Sequence, residues 1–170
     1  MIREATEKDL PNILDIYNEA ILHTTAVYDY KLHTLEDRQQ WYDKKKLDGY
    51  PLFVYEKDDK AVAFATFGPF RAWPAYKYTI EHSVYVSKEY RSEGIATKLM
   101  QAIIQNANER EYATLVAGID AANEISISLH ARLGFEYAGV IKKAGYKFGK
   151  WLDLAFYQLE LNGPKVPIEG

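Results

Sequence analysis

The sequence predicts an α/β (α+β) fold in which a mixed sheet is covered by helices. Three observations carry this. Apolar residues recur at helical spacing in two long segments, Leu10, Ile13, Leu14, Ile16, Tyr17, Ala20 and Ile21, then Ile95, Leu99, Ile103 and Ala107. Short β-branched and aromatic runs bounded by turn residues separate and follow them. One such run, Ala113 to Ile119, is apolar almost throughout, as suits a central strand.

In chain order, Met1 to Ala5 reads as a short strand, and Thr6 with Glu7 and Asp9 behind it starts a helix. A polar loop runs through Asp29. Thr34 caps a second helix, with Asp37 in the capping-box region and Leu35, Trp41 and Leu47 as apolar positions. Gly49-Tyr50-Pro51 ends it. Leu52 to Glu56 and Ala61 to Phe67 form a hairpin around Lys57-Asp58-Asp59-Lys60. Gly68-Pro69 and Pro74 interrupt the chain before a long strand, Tyr76 to Val86. A helix from Gly94 to Arg110, the strand Ala113 to Ile119 and a short helix from Asn123 to Leu133 follow, the last closed by Gly134 in a left-handed cap. Phe135 to Val140 and Trp151 to Leu161 are the final strands, joined through a glycine-rich connection (Gly139, Gly145, Gly149). One domain is expected over 1–161, with 162–170 a flexible tail.

Composition excludes several classes. At 170 residues, 48% hydrophobic and 14% aromatic, the chain has the material for one sizeable core and is not disordered. A net charge of −3 with no dominant basic block argues against nucleic acid as a partner, and Lys44-Lys45-Lys46 reads as a solvated helix face. The absence of cysteine removes disulfides, thiolate catalysis and zinc–thiolate sites, and no metal is expected. No apolar run reaches membrane length and charge appears at Arg3 and Glu4, unlike a signal peptide, so a cytoplasmic location is expected.

The informative segment runs from Glu81 to Met100. A β-branched strand ends in a basic, glycine-containing turn and a helix begins at once. Such a turn offers unpaired backbone N–H groups beside the positive end of a helix, which suits a phosphate or pyrophosphate. The spacing Arg91-x-x-Gly94-x-Ala96 is neither the three-glycine dinucleotide fingerprint nor a P-loop. An ordinary strand–helix connection is the plain alternative. With the element order β-α-α-β-β-β-α-β-α-β-β, the spacing resembles the acetyl-CoA turn of the GNAT N-acetyltransferases, Arg/Gln-x-x-Gly-x-Gly/Ala, and the likeness covers about residues 2 to 160.

That resemblance implies a three-layer fold with a mostly antiparallel central sheet, splayed where acetyl-CoA binds. It implies that the backbone of Val84, Tyr85 and Val86 pairs with the pantetheine arm, with Arg91, Ser92, Glu93, Gly94, Ile95, Ala96 and Thr97 around the pyrophosphate. Asn123 reads as an N-cap; in the family a matching Asn also bonds the pantetheine or cysteamine region. His130, in Leu129-His130-Ala131-Arg132-Leu133-Gly134-Phe135, stands where the family often has a tyrosine that protonates the departing thiolate. An imidazole with a pKa of about 6.5 can act as acid or base at neutral pH; a packing histidine is the alternative. Glu81 lies just before the cofactor segment. An α-amino group has a pKa of about 8, so at pH 7 a base must deprotonate it before its lone pair can attack a thioester. Glu81 is that candidate, against a strand glutamate in a salt bridge. Arg71 sits among the aromatics of Phe67 to Tyr76, and its planar fork suits a carboxylate or phosphinate. Arg71, Trp73 and Tyr28 are the candidate acceptor-binding residues.

Three segments make the chain resemble the phosphinothricin and methionine sulfoximine/sulfone N-acetyltransferases within that superfamily. They are Ile16-Tyr17-Asn18-Glu19-Ala20-Ile21 on to Arg38 and Trp41, Thr79 to Val86, and His130 through Gly134-Phe135 to Gly145–Asp153. The resemblance implies acetylation of the α-amine of small amino-acid-like compounds by direct transfer, and a homodimer that the aromatic C-terminal strands help to build. A different amine acceptor (polyamine, aminoglycoside or protein N-terminus) and a silent acyl-CoA-binding module are the competing readings.

Overall fold

Asp9 organises the start of the chain. Its carboxylate accepts the Thr6 backbone N–H (2.8 Å) and two N–H groups of Arg3 (2.8 and 2.9 Å), while Arg3 Nε also pairs with Glu56. A 3-10 turn at Glu7–Asp9 leads into α1, Leu10–His23, which carries Pro11 in its first turn, where the missing N–H has no partner to lose. The computed structural model describes residues 1–170. Helix α2, Leu35–Asp48, is capped reciprocally: Thr34 Oγ1 accepts the Asp37 N–H and Asp37 accepts the Thr34 N–H.

Seven strands form one sheet: β1 Ile2–Glu4, β2 Leu52–Lys57, β3 Lys60–Pro69, β4 Thr79–Val86, β5 Thr114–Asp120, β6 Glu136–Lys147 and β7 Lys150–Glu160. Their order is β1-β2-β3-β4-β5-β7-β6. The β1/β2, β2/β3, β5/β7 and β6/β7 ladders are antiparallel and β4/β5 is parallel, so the sheet is mixed and mostly antiparallel, with α1, α2, α3 (Ile95–Glu109) and α4 (Glu124–Arg132) flanking it. The β4/β5 register runs from Thr79↔Thr114 to Glu81↔Val116 and stops there, although β4 continues to Val86 and β5 to Asp120.

The chain groups into two compact units, Met1–Phe67 with Ser83–Met100, and Gly68–His82 with Gln101–Gly170. In the first, Leu10, Ile13 and Ile16 of α1 pack with Tyr42, Leu52, Val54, Ala61 and Phe64. Arg38 is buried there, its guanidinium 4.3 Å from the Tyr17 ring centroid and 4.6 Å from that of Trp41. Its Nη2–H donates to His33 Nδ1 (2.9 Å), so His33 carries its proton on Nε2, toward Asp29 (3.0 Å). This chain of contacts explains why Tyr17, Arg38 and Trp41 occur together, and it pins the loop between α1 and α2. In the second unit, Leu115, Ala117 and Ile119 of β5 alternate inward, and Phe135, Leu152 and Ala155 are buried.

Three boundaries differ from the sequence reading: β3 continues through Gly68-Pro69, where an interruption was expected, and two more lie further on. Pro74–Tyr76 forms a 3-10 turn, so β4 begins at Thr79 rather than at Tyr76. The glycine-rich stretch after Val140 is strand, not connection. β6 runs to Lys147, with irregularities at Tyr137/Gly139 and Ile141/Gly145, and the turn is the tight pair Phe148-Gly149 at φ 52° and 73°. The ladder resumes at each glycine, Gly139 pairing with Phe156 and Gly145 with Leu152, so the irregularities interrupt β6 without ending it. The tail has no helix or strand; Asn162 N–H donates to Asn108 and Ile168 N–H to the Tyr78 hydroxyl. No helix is long and apolar enough to cross a membrane.

Burial pushes the Asp9 pKa up, but the hydrogen bonds from Arg3 and Thr6 outweigh it and hold the group below the ordinary carboxylate value. A carboxylate held low stabilises the fold above its unfolded pKa, and that contribution fades as pH falls through the folded value. Asp9→Asn is therefore expected to cost about 2 kcal/mol at pH 7. The gap from the unaltered protein should shrink in urea titrations as pH drops below about 4; a gap independent of pH contradicts the assignment.

Candidate active site

The turn after β4 has backbone geometry of a kind that suits an anion. Ser92 and Gly94 both take left-handed backbone, at φ 68° and 76°, on either side of Glu93. Alternation of this kind makes a concave nest of N–H groups. Glycine is required at 94 for its φ rather than for room, since a Cβ there meets nothing within 4 Å. Helix α3 starts at Ile95 with no acidic residue in its first turn, and its opening bond is Lys98 N–H to the Gly94 carbonyl (3.2 Å). The N–H groups of Ile95, Ala96 and Thr97 precede that bond.

The charged neighbours of the nest are held in place. Arg91 pairs with Glu19 (2.8 Å) and its Nε–H donates to the Val86 carbonyl (3.3 Å), which fastens the turn to the end of β4. Glu93 pairs with Lys57 (2.6 Å), which offsets the one carboxylate inside the turn. Just upstream, the Tyr85 ring packs edge-on to Tyr17 (5.6 Å) and beside Phe64 (5.2 Å). The Tyr85 side chain thus belongs to the core of the first unit, and the backbone is what Val84, Tyr85 and Val86 have in common to offer a ligand.

The second unit carries the titratable groups. Glu81 is half-buried on β4. Burial raises its pKa above the ordinary carboxylate value, and the nearby Arg71 charge opposes the rise. Room for this carboxylate comes from Gly118 on β5: a Cβ at 118 would stand 3.1 Å from Glu81 Oε2 and 3.4 Å from Leu154 Cδ1. The sequence reading missed Gly118, although a lone glycine inside an apolar strand signals close approach.

His82 was missed as well. Successive strand residues face opposite sides of a sheet, so His82 points away from the Glu81 face. It is buried against His130 of α4, the two rings nearly parallel at 7° with centroids 5.1 Å apart, and Phe135 is edge-on to both (5.7 and 5.0 Å). His130 is only 2% exposed; its Nδ1 lies 2.7 Å from the Ser126 carbonyl and its Nε2 3.1 Å from His82 Nε2. Burial lowers the pKa of both rings; for His82 the neighbouring His130 adds to the effect, and for His130 the Ser126 carbonyl opposes it.

The remaining candidates are on or near the surface. Asn123 Oδ1 accepts the Ser126 N–H (3.1 Å), an N-cap to α4. Arg71 is exposed, its guanidinium 5.2 Å from the Phe70 ring centroid. Trp73 is 74% and Tyr28 42% exposed. No group of three or more His, Asp or Glu side chains is placed to hold a metal ion.

Residues 2–156 match the acetyltransferase (GNAT) domain, and the chain belongs to that family. Within it, the L-methionine sulfoximine/L-methionine sulfone acetyltransferase of Pseudomonas aeruginosa is 41% identical over 162 residues, 95% of this chain and 94% of that protein. An N-acetyltransferase from Staphylococcus aureus Mu50 superposes with a TM-score of 0.94 at 53% identity, covering 95% of this chain and 98% of its own. A phosphinothricin acetyltransferase from Sinorhizobium meliloti, solved with acetyl-CoA, superposes with a TM-score of 0.94 at 30% identity, covering 100% of this chain and 92% of its own.

Gly118→Ala tests whether the Glu81 carboxylate needs its space. The added methyl should displace the carboxylate by a few tenths of an ångström and lower acetyl-transfer kcat about tenfold, with Tm nearly unchanged. Unaltered kcat means that the position of the carboxylate is unimportant.

Proposed function

We propose that this protein transfers an acetyl group from acetyl-CoA to the α-amine of a small amino-acid-like acceptor of the methionine sulfone, methionine sulfoximine or phosphinothricin type. The observation that carries the reading is Glu81. It is a carboxylate with a raised pKa, given space by a glycine, on the strand that leads into the anion nest. A raised pKa makes a carboxylate a better proton acceptor near neutral pH.

Acetyl-CoA supplies the acetyl thioester. The nest at Ser92 and Gly94 and the first N–H groups of α3 hold its pyrophosphate, and the backbone of Val84 to Val86 holds the pantetheine arm. Glu81, directly or through a water, removes a proton from the acceptor's ammonium group. Arg71 faces the acceptor's anionic end, with Trp73 and Tyr28 as further contacts, and a polycationic acceptor suits that guanidinium poorly. Asn123 orients α4, which carries His130, the assigned source of the proton for the departing thiolate. No covalent acyl-enzyme is involved.

The same reading includes a homodimer and a cytoplasmic location. Strand β6 ends the sheet, and with its turn and β7 it exposes Tyr137, Ile141, Phe148 and Trp151. A long apolar edge of this kind invites a partner strand or face.

Thiol release from acetyl-CoA is to be followed with phosphinothricin, methionine sulfone, methionine sulfoximine, spermidine, an aminoglycoside and an N-terminal peptide. Turnover confined to the first three supports the reading, and turnover with the cationic amines overturns the acceptor assignment. Silence across the panel, with acetyl-CoA still raising Tm, favours the acyl-CoA-binding alternative. Activity should fall on the acid side as Glu81 protonates. Because Arg71 lowers the Glu81 pKa, Arg71→Ala should move that acid limb to higher pH, and Glu81→Gln should lower kcat on the order of 100-fold. A limb that stays put in Arg71→Ala removes Glu81 as the titrating base.

A further inference from the structure

The paired imidazoles have a proton arrangement that their contacts dictate. A carbonyl only accepts, so His130 Nδ1, 2.7 Å from the Ser126 carbonyl, carries a hydrogen. In the neutral ring His130 Nε2 is then a bare lone pair, and His82 Nε2, 3.1 Å away, must donate to it. This leaves His82 Nδ1 as a bare acceptor, and that atom is buried with no partner in the protein. Neutral His130 thus has no hydrogen on Nε2, and its Nδ1 hydrogen is committed to its own helix.

We infer that proton exchange at this site runs through His82: the two rings act as one relay whose open end is His82 Nδ1. A proton taken up at His82 Nδ1 forms an N–H bond there, and the His82 Nε2–H bond breaks as its proton passes to His130 Nε2. The positive charge comes to rest on His130, where the Nδ1–H already donates to the Ser126 carbonyl. In the reverse sequence the His82 Nδ1–H bond breaks as the departing thiolate forms its S–H bond, the proton on His130 Nε2 returns to His82 Nε2, and both rings end neutral. Phe135 against both rings keeps water from entering sideways, and the near-parallel stacking holds the two Nε2 atoms at transfer distance. Coupled groups of this kind exchange protons as a pair rather than as separate residues. This deepens, and rests on, the acetyl-transfer reading, in which His130 was to supply the thiolate's proton.

The test combines histidine ¹⁵N NMR with a double-mutant cycle on acetyl transfer. In the unaltered protein at neutral pH, His130 should report hydrogen on Nδ1 and His82 hydrogen on Nε2. His82→Gln keeps an amide N–H that can donate to His130 Nε2 but cannot relay a proton, whereas His82→Phe removes both functions. Both variants, and His130→Phe, should lower kcat on the order of 100-fold while KM for acetyl-CoA moves less than threefold. The His82→Gln/His130→Phe double variant should be no slower than either single one, as for residues acting as a unit. Overturning results are His82→Gln turnover within twofold of the unaltered protein, an additive double variant, or NMR placing hydrogen on Nε2 of neutral His130. Should a variant fail to fold, the NMR assignment of the unaltered protein still decides the pair. If the unaltered protein acetylates no amine, the functional reading fails, and the two NMR tautomers separately uphold or refute the pairing.

Discussion

The pleat of β4 is the constraint on which the rest of the site depends. Glu81 and His82 are adjacent in sequence, so a strand must send their side chains to opposite faces. One face receives a carboxylate with a raised pKa, in space left by Gly118 and bounded by Leu154. The other receives an imidazole stacked on His130 and closed by Phe135. The proposed base and the proposed proton relay are thereby kept from neutralising each other through direct contact. No flexible loop has to hold them apart.

The β4/β5 ladder leaves part of each strand outside their pairing. Its parallel register ends at Glu81↔Val116 while β4 runs on to Val86. Beyond that point β4 leads into the Arg91 turn, where the Val86 carbonyl accepts the Arg91 Nε–H and Glu19 takes the other end of the guanidinium. Arg91 thus acts as a brace for the nest. The residue carries the family's spacing, yet its observed work is to fix the backbone whose N–H groups would meet the anion.

Electrostatics follows burial closely here. Arg3–Asp9 closes an ion pair at the head of α1 and holds the carboxylate ionised, whereas Glu81 is desolvated and only the charge of Arg71 opposes the rise. Both carboxyls lose solvent. The hydrogen bonds donated to each decide that the pKa of Asp9 is held low and that of Glu81 is raised.

The sequence determined the element order, the caps at Thr34 and Asn123, the left-handed cap at Gly134 and the glycine turn that opens α3, because each depends on local backbone preference and on spacing a few residues long. It also pointed to Glu81 and His130, though only as residues near a motif. The length of β6 was beyond it. Gly139 and Gly145, which read as a connection, pair with Phe156 and Leu152 once β7 supplies a partner ladder, and pairing between strands is a long-range interaction that local composition does not encode. The same is true of Gly118 beside Glu81 and of His82 against His130, which lie 37 and 48 residues apart in the chain. Only the folded sheet and the helix packed on it bring those atoms together. The pKa of Glu81 and the tautomer of His130 are therefore properties of the tertiary structure, because both are set by what surrounds a side chain after its solvent has been removed.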